Sequence, residues 1–230
     1  MTRTQGKVAA CIFDWGGTLT PWHDIDPLEQ WLAAVGDDDA ARRLDVAASQ
    51  IWARSRDEHR SATIEEVFAL AGIEHTHDMV QGFYRWWEPH TFTDPDAFDL
   101  FRALRERGIA IGVLSNTIWS RSEHERIFDR DGLSELIDGA VYTSEIPWTK
   151  PHPKAFETAL RAVGSPDPAS TVFVGDRPFD DIHGAASVGM RTVLIPHSTI
   201  PADQIGAVEG EADAVVQRLG DVLDVIDQWS

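Results

Sequence analysis

The sequence predicts an α/β protein with a doubly wound, Rossmann-like parallel-sheet core and a small all-helical second module. Three observations carry this prediction. Short, uninterrupted apolar runs recur along the chain and end in polar residues, helical patterns lie between the later runs, and one long stretch after the first run contains helical patterns alone. Unbroken rather than alternating apolar runs mark strands buried on both faces, as in parallel sheets covered by helices.

The first run is Val8 to Phe13, which ends at Asp14 and meets Gly16-Gly17, a strand entering a tight turn. Ile109 to Leu114 and Thr171 to Val174 repeat the pattern, ending at Ser115-Asn116 and Gly175-Asp176, and Arg191 to Ile195 make a fourth strand. Phe98, Phe101 and Leu104, and then Phe156, Leu160 and Val163, have helical spacing before Gly108 and Gly164. Val222, Leu223 and Ile226 fall on one face of a closing helix. Strands alternating with helices imply a ligand site beyond the strand C-termini, where the polar residues converge.

Residues 20–92 break the alternation, with helical segments near Pro27 to Val35, Asp38 to Arg56, Ile64 to Ala71 and Asp78 to Trp87. Thr63 and Glu66 are spaced as a capping box. The division is therefore residues 1–19 with 93–230 as the catalytic core and 20–92 as a helical insertion.

Composition narrows the function. Twenty Lys and Arg face 38 Asp and Glu, a formal charge of −18, which repels nucleic acid and anionic membranes. A phosphate site on such a surface must draw positive charge from a metal, a lysine or helix N-termini. The single cysteine, Cys11, cannot form an intrachain disulfide and fits a reducing, cytoplasmic setting, and no apolar run approaches membrane-spanning length. Oligomeric state is not legible.

The chemistry gathers at the strand ends. Asp14, in CIFDWGGTLT, needs compensation beside an apolar strand; the glycines that follow permit close backbone approach and Thr18 offers a hydroxyl. In VFVGDRPFDDIHGA, Asp176, Asp180 and Asp181 fall within six positions, hard oxygen donors of the kind Mg²⁺ takes, although helix capping explains one of the latter two. Lys150, one of three lysines, precedes a helix in WTKPHP and could neutralise clustered carboxylates, while Ser115 and Asn116 could donate to phosphate oxygens or simply make a turn.

In this order the motifs resemble the haloacid dehalogenase-like superfamily, most specifically in GDRPFDDIHGAASVGM. The resemblance implies a helical cap in the insertion and a Mg²⁺-dependent phosphatase acting on a small phosphorylated metabolite. It makes Asp14 the nucleophile that forms an aspartyl-phosphate, Ser115 a phosphate ligand and Lys150 the charge organiser. Asp14, Gly16 (through its carbonyl), Asp176 and Asp181 would hold the metal, and Trp15, Gly17, Thr18 and Asn116 would line the substrate.

One position departs from that pattern. Phosphatases of the superfamily carry a second aspartate two residues after the nucleophile, where this chain has Gly16. His23, Asp24 or Asp26 could substitute, the substrate could have a good leaving group, or the reaction could be other than phosphate-ester hydrolysis. DWGGT resembles the first motif of phosphonoacetaldehyde hydrolases, but those need a cap lysine and residues 20–92 contain none. Dehalogenases typically lack the full acidic motif retained at 176–181. A non-catalytic, ligand-binding member of the superfamily is the alternative from another class.

Nine tryptophans are many, and Trp22, Trp31, Trp52, Trp86 and Trp87 fall in or beside the insertion, where large side chains are needed to build a small core. Adjacent Trp86 and Trp87 cannot share a helix face. His75 and His77 read as solvated loop residues, and Cys11 as strand packing.

Overall fold

The first apolar run is the central strand of a parallel sheet in the computed structural model, which describes residues 7–23, 25–196 and 211–229. β1 (Ala10–Phe13) lies between β2 (Ala110–Ser115) and β4 (Thr171–Gly175). β3 (Gly139–Tyr142) extends the sheet beyond β2, and β5 (Arg191–Leu194) and β6 (Ala214–Val215) extend it beyond β4. The order β3-β2-β1-β4-β5-β6 reverses direction at β1, which places the topological switch point, where doubly wound sheets hold ligands, at the C-terminal end of that strand.

Side chains along β1 separate two hydrophobic clusters with the period of a strand. Cys11 and Phe13 join a cluster with Phe101 and Leu104 of α5 (Ala97–Glu106), Ile127 of α6 (Arg121–Arg130) and Ile226 of α9 (Val222–Gln228). Ala10 and Ile12 join the opposite cluster, with Phe156 and Leu160 of α7 (Pro153–Ala162) and Ala185 of α8 (Gly184–Ser187). Both faces of the sheet are thus covered, as the unbroken apolar runs require. Phe98 is not part of the buried face of α5; it is largely exposed, and Ala97 and Leu100 take its place.

Between β1 and α5 the chain forms α1 (Pro27–Val35), α2 (Asp38–Glu58), α3 (Ile64–Leu70) and α4 (His77–Trp87), with no sheet strand among them. Asp26, Asp37, Thr63 and Thr76 cap their N-termini through side-chain oxygens. Only half of the expected capping box forms: Thr63 accepts from the Glu66 N–H, but the Glu66 carboxylate pairs with Arg54 at 3.1 Å. At Gly82 a Cβ would stand 2.8 Å from the Ala33 carbonyl oxygen, so α4 approaches α1 more closely than alanine permits.

The insertion shares its apolar interior with the sheet: Trp31, Leu44, Phe68 and Phe83 belong to the same cluster as Phe13. Phe83, Tyr84 and Trp87 of α4 meet Trp119, which follows β2, at ring separations of 5.7, 5.2 and 5.9 Å. Such pairs contribute on the order of 1 kcal/mol each beyond area burial. The Tyr84 hydroxyl accepts from the Ser120 N–H at 3.2 Å, and Glu88 pairs with Arg126 and Arg130 of α6. The adjacent tryptophans divide as helix geometry demands, Trp87 toward Trp119 and Trp86 toward His90.

Beneath this contact lies His124, fully buried, stacked on Tyr142 at 4.3 Å with Nδ1 3.1 Å from the Ser120 carbonyl oxygen and Nε2 unpartnered. Burial pushes it down to about 4, against an unfolded value of about 6.5. Between those values the unfolded chain binds a proton that the folded chain excludes, so stability falls as pH drops through this window. Between pH 7 and pH 5 this costs about 2 kcal/mol. Urea unfolding of wild type and His124→Phe at both pH values measures it: the wild type should lose that much more than the variant, and equal losses would show that His124 titrates normally.

Candidate active site

The Asp14 N–H donates to the Val174 carbonyl at 2.9 Å, continuing the ladder one residue past β1 and setting its carboxylate at the switch point. The chain then folds around the Trp15 carbonyl, which accepts from the N–H groups of Leu19 and Thr20, both at 2.9 Å. Gly17 has φ +88°, and a Cβ there would lie 2.5 Å from Asp176 Oδ2. Glycine is required at 17 both by backbone conformation and by the approach of Asp176. Thr18 Oγ1 turns to the same carboxylate, 3.4 Å from Asp176 Oδ1.

Lys150 enters from the segment before α7. Its Nζ lies 2.5 Å from Asp14 Oδ1 and 2.6 Å from Asp181 Oδ1, and all three residues are buried. Asn116 holds the lysine's main chain at both ends, accepting from the Lys150 N–H at 2.8 Å and donating to its carbonyl at 3.1 Å. Both ends of the Asn116 amide are thereby engaged with Lys150. Ser115 is buried at the end of β2, paired in register with Tyr142.

Asp180 and Asp181 lie within a π-helical turn, Pro178–His183, instead of at the start of an α-helix. The Asp181 carboxylate accepts from the Arg177 N–H at 2.9 Å and from Lys150. Asp14, Asp176 and Asp181 each offer a carboxylate oxygen within 4.8 Å of the others. Asp176 Oδ2 is buried without a hydrogen-bond partner.

Burial raises Asp14, with Lys150 opposing; burial and then the charges of Asp14 and Asp181 raise Asp176 well above its ordinary value. Asp180 is pushed up to about 6 by burial and by Asp181. Burial works against the charged amine of Lys150, but Asp14 and Asp181 outweigh it and hold the amine above the usual lysine value. The raised values of Asp14 and Asp176 show that the single Lys150 ammonium does not fully offset the charge three buried carboxylates would carry, and Asp176 Oδ2 has no hydrogen-bond partner. A divalent cation on hard oxygen donors fits both features.

The remaining candidates divide. The Trp15 ring packs against Trp119 and His124 at 5.4 and 4.6 Å and is 9% exposed. Gly16 is half-buried, its φ is not in the left-handed region, and a Cβ there would meet nothing within 4 Å. Of the proposed substitute acids, Asp26 caps α1 through Oδ1, and His23 meets His90 edge-on at 4.9 Å, its pKa lowered by burial and by His90. Asp24 lies outside the described residues. The sequence reading missed Arg177, whose guanidinium lies 5.1 Å over the Trp22 ring and whose charge lowers Asp14 and Asp176. Adjacency to Asp176 was the available signal.

A buried lysine held between two carboxylates, with a third carboxylate beside them, stands at the switch point of a doubly wound parallel sheet. The family model for haloacid dehalogenase-like hydrolases matches residues 8–189, and the chain belongs to that family. It is 38% identical over 136 residues to a glyceraldehyde 3-phosphate phosphatase of Pyrococcus furiosus, covering 58% of this chain and 54% of that protein. It is 32% identical over 139 residues to a ribulose-1,5-bisphosphate 5-phosphatase of Halopiger xanaduensis, covering 57% and 56%. The chain thus spans about half the length of the curated relatives it matches. The fold is shared with a HAD phosphatase from Thermococcus onnurineus, at TM-score 0.70 and 22% identity over 95% of this chain and 98% of that one. It is also shared with a 2-haloacid dehalogenase from Pseudomonas syringae, at TM-score 0.65 and 21% identity over 97% and 100%.

A cation that fills the charge deficit stabilises the folded chain by mass action, by about 2.7 kcal/mol at a hundredfold excess over its Kd. Thermal unfolding should therefore shift upward with added Mg²⁺ in the wild type and not in Asp176→Asn. A shift of the same size in both would place the cation elsewhere.

Proposed function

We propose that the chain is a Mg²⁺-dependent phosphatase of small phosphorylated metabolites, working through an aspartyl-phosphate on Asp14. The observation that carries this reading is the buried contact of Lys150 Nζ with Asp14 and Asp181 beside the unpartnered Asp176. An ammonium there opposes the burial that disfavours the Asp14 carboxylate and would offer a fixed charge to a phosphoryl group. Asp14, Asp176, Asp181 and the Gly16 carbonyl would hold Mg²⁺, which supplies Lewis-acid charge at the phosphoryl oxygens.

Asp14 attacks phosphorus, the bond to the leaving oxygen breaks, and water then hydrolyses the acyl phosphate, returning Asp14 and inorganic phosphate. Ser115 lies at the strand end, where its hydroxyl would donate to a phosphoryl oxygen. The helical insertion would serve as the cap that excludes bulk water during the first step. The names of the curated relatives, phosphatases of a triose phosphate and a pentose bisphosphate, support a small phosphorylated substrate.

Gly16 shapes the substrate expected. With no carboxyl there, with Asp26 capping α1 and with the His23 ring against His90, the leaving oxygen would depart with less protonation than an aspartate at 16 provides. Acyl phosphates and other substrates with acidic leaving groups suit this site better than alkyl phosphates. The phosphonatase reading lacks its lysine, since residues 20–92 contain none. The dehalogenase reading has to account for a metal-type carboxylate group at Asp14, Asp176 and Asp181.

Phosphate release from a panel graded by leaving-group pKa tests the reading. Wild type should act on the activated end of the panel with Mg²⁺, and Asp14→Asn should fall to background. Equal inactivity of the two proteins would sink the phosphatase assignment. Because a Cβ at position 16 meets nothing within 4 Å, Gly16→Asp should fold and raise turnover of alkyl phosphates by roughly 10²-fold, the lower end of what a positioned acid contributes. No gain in a folded variant would mean that the missing acid does not limit the reaction.

A further inference from the structure

Lys150 is preceded by a segment that the helical insertion holds directly. Arg60 and Trp148 form an antiparallel bridge, the Ser61 N–H donates to the Pro147 carbonyl at 3.2 Å, and the Thr149 N–H donates to the His59 carbonyl at 3.0 Å. Ser61 Oγ also donates to the Ile146 carbonyl. At the centre of this contact two buried hydroxyls meet: Ser55 Oγ is 3.1 Å from Thr149 Oγ1, which donates in turn to the Ser55 carbonyl at 3.3 Å. His59 ends α2 with φ +54°, a left-handed conformation uncommon for a non-glycine residue, and that turn brings its carbonyl to Thr149.

The next residue is Lys150, held by Asn116 at both its N–H and its carbonyl. The insertion therefore grips the residue immediately before the lysine, and the loop after β2 grips the lysine itself. Both hydroxyls of the Ser55–Thr149 pair lie away from solvent, where an unmade hydrogen bond costs about 1–3 kcal/mol. Surface loops seldom carry such a pair, and this one connects residues 94 positions apart.

We propose that Ser55 and Thr149 are positioning residues that couple docking of the helical insertion to the placement of the Lys150 ammonium between Asp14 and Asp181. Undocking the 55–61 segment releases Thr149 and loosens the lysine, so the charge that organises the nucleophile is in place only when the insertion is seated. The consequence for turnover rests on the phosphatase reading; the mechanical coupling does not.

The test uses the full chain with Thr149→Val, which keeps shape and removes the hydroxyl, Thr149→Ser, which restores it, and Ser55→Ala, which removes the same bond from the other side. Amide hydrogen exchange is read first. A peptide covering 149–153 carries only the amides of Thr149, Lys150 and His152, because 151 and 153 are prolines. Exchange of the Lys150 amide should be at least about tenfold faster in Thr149→Val and in Ser55→Ala, and near wild type in Thr149→Ser. With an activated phosphate substrate, kcat should fall by about tenfold with KM within about twofold, the double variant Ser55→Ala/Thr149→Val being no worse than either single change.

Unchanged Lys150 exchange in both hydroxyl-deleting variants would overturn the proposal. So would equal losses in Thr149→Val and Thr149→Ser, which would assign the effect to packing. A fall in stability with kcat intact below the melting transition would make the pair structural only. Should Thr149→Val not fold, Ser55→Ala reads the same bond. A wild type that releases no phosphate defeats the functional reading alone, and the exchange result still decides the coupling.

Discussion

The insertion of Lys150 between Asp14 and Asp181 is the constraint on which the rest of the site depends. Three buried charged groups in contact are costly to desolvate, and replacing such groups by well-packed apolar residues is often neutral or stabilising. Stability is therefore a poor reason for this arrangement. Removing the lysine alone would strand two buried carboxylates beside a third, Asp176, whose Oδ2 already lacks a partner. The cluster makes physical sense as a place where charge is held ready for a ligand that brings more positive charge, a cation, and then negative charge, a phosphoryl group.

Holding that cluster demands close backbone approach from several sides. Gly17 passes so near Asp176 that any side chain would collide with the carboxylate, and a Cβ at Gly175 would stand 2.4 Å from Asp181 Oδ2. The central strand and β4 run in register, Phe13 beside Val174, so Asp14 and Asp176 emerge one residue apart at the same sheet edge. The lysine comes from the far side through Asn116 and Thr149. A site assembled from four separate segments, 14–18, 115–116, 149–150 and 175–181, is held by sheet register, by glycine, and by hydrogen bonds to main chain.

Much of this was legible because parallel-sheet strands write themselves as apolar runs. β1, β2, β4 and β5 were found within one or two residues at each end, and the four helices of the insertion almost to the residue, since Asp26-Pro27, Asp37 and Thr63 announce their starts. β3 and β6 were missed for physical reasons. Gly139–Tyr142 follows a 3₁₀ turn and places only Val141 and Tyr142 in full burial, and Ala214–Val215 is two residues of an edge. Neither offers a run long enough to distinguish from loop. At the site, residue identity was legible but direction was not. Trp15, Thr18 and Asn116 are expected to line the substrate; in the fold the Trp15 ring packs among aromatic side chains, and the Thr18 and Asn116 side chains meet Asp176 and the Lys150 main chain. Long-range pairs such as Ser55 with Thr149 leave no periodic mark at all.

Gly16 is where the structure constrains the chemistry most. Gly17 and Gly175 are glycines because atoms of Asp176 and Asp181 occupy the space a side chain would need. Gly16 has no such reason: its backbone does not lie in the left-handed region, and the space its side chain would enter is open to 4 Å. Packing therefore does not forbid an aspartate there, and a carboxyl two residues from the nucleophile would be compatible with the fold as it stands. What distinguishes position 16 is that no contact requires glycine there, while Asp14, Lys150, Asp176 and Asp181 stand together. On the proposed phosphatase reading, a site with Asp14 as nucleophile and no carboxyl at position 16 would be tuned by the substrate's own leaving group. Selectivity in such an enzyme would begin at the bond being broken, before any contact from the helical insertion is counted.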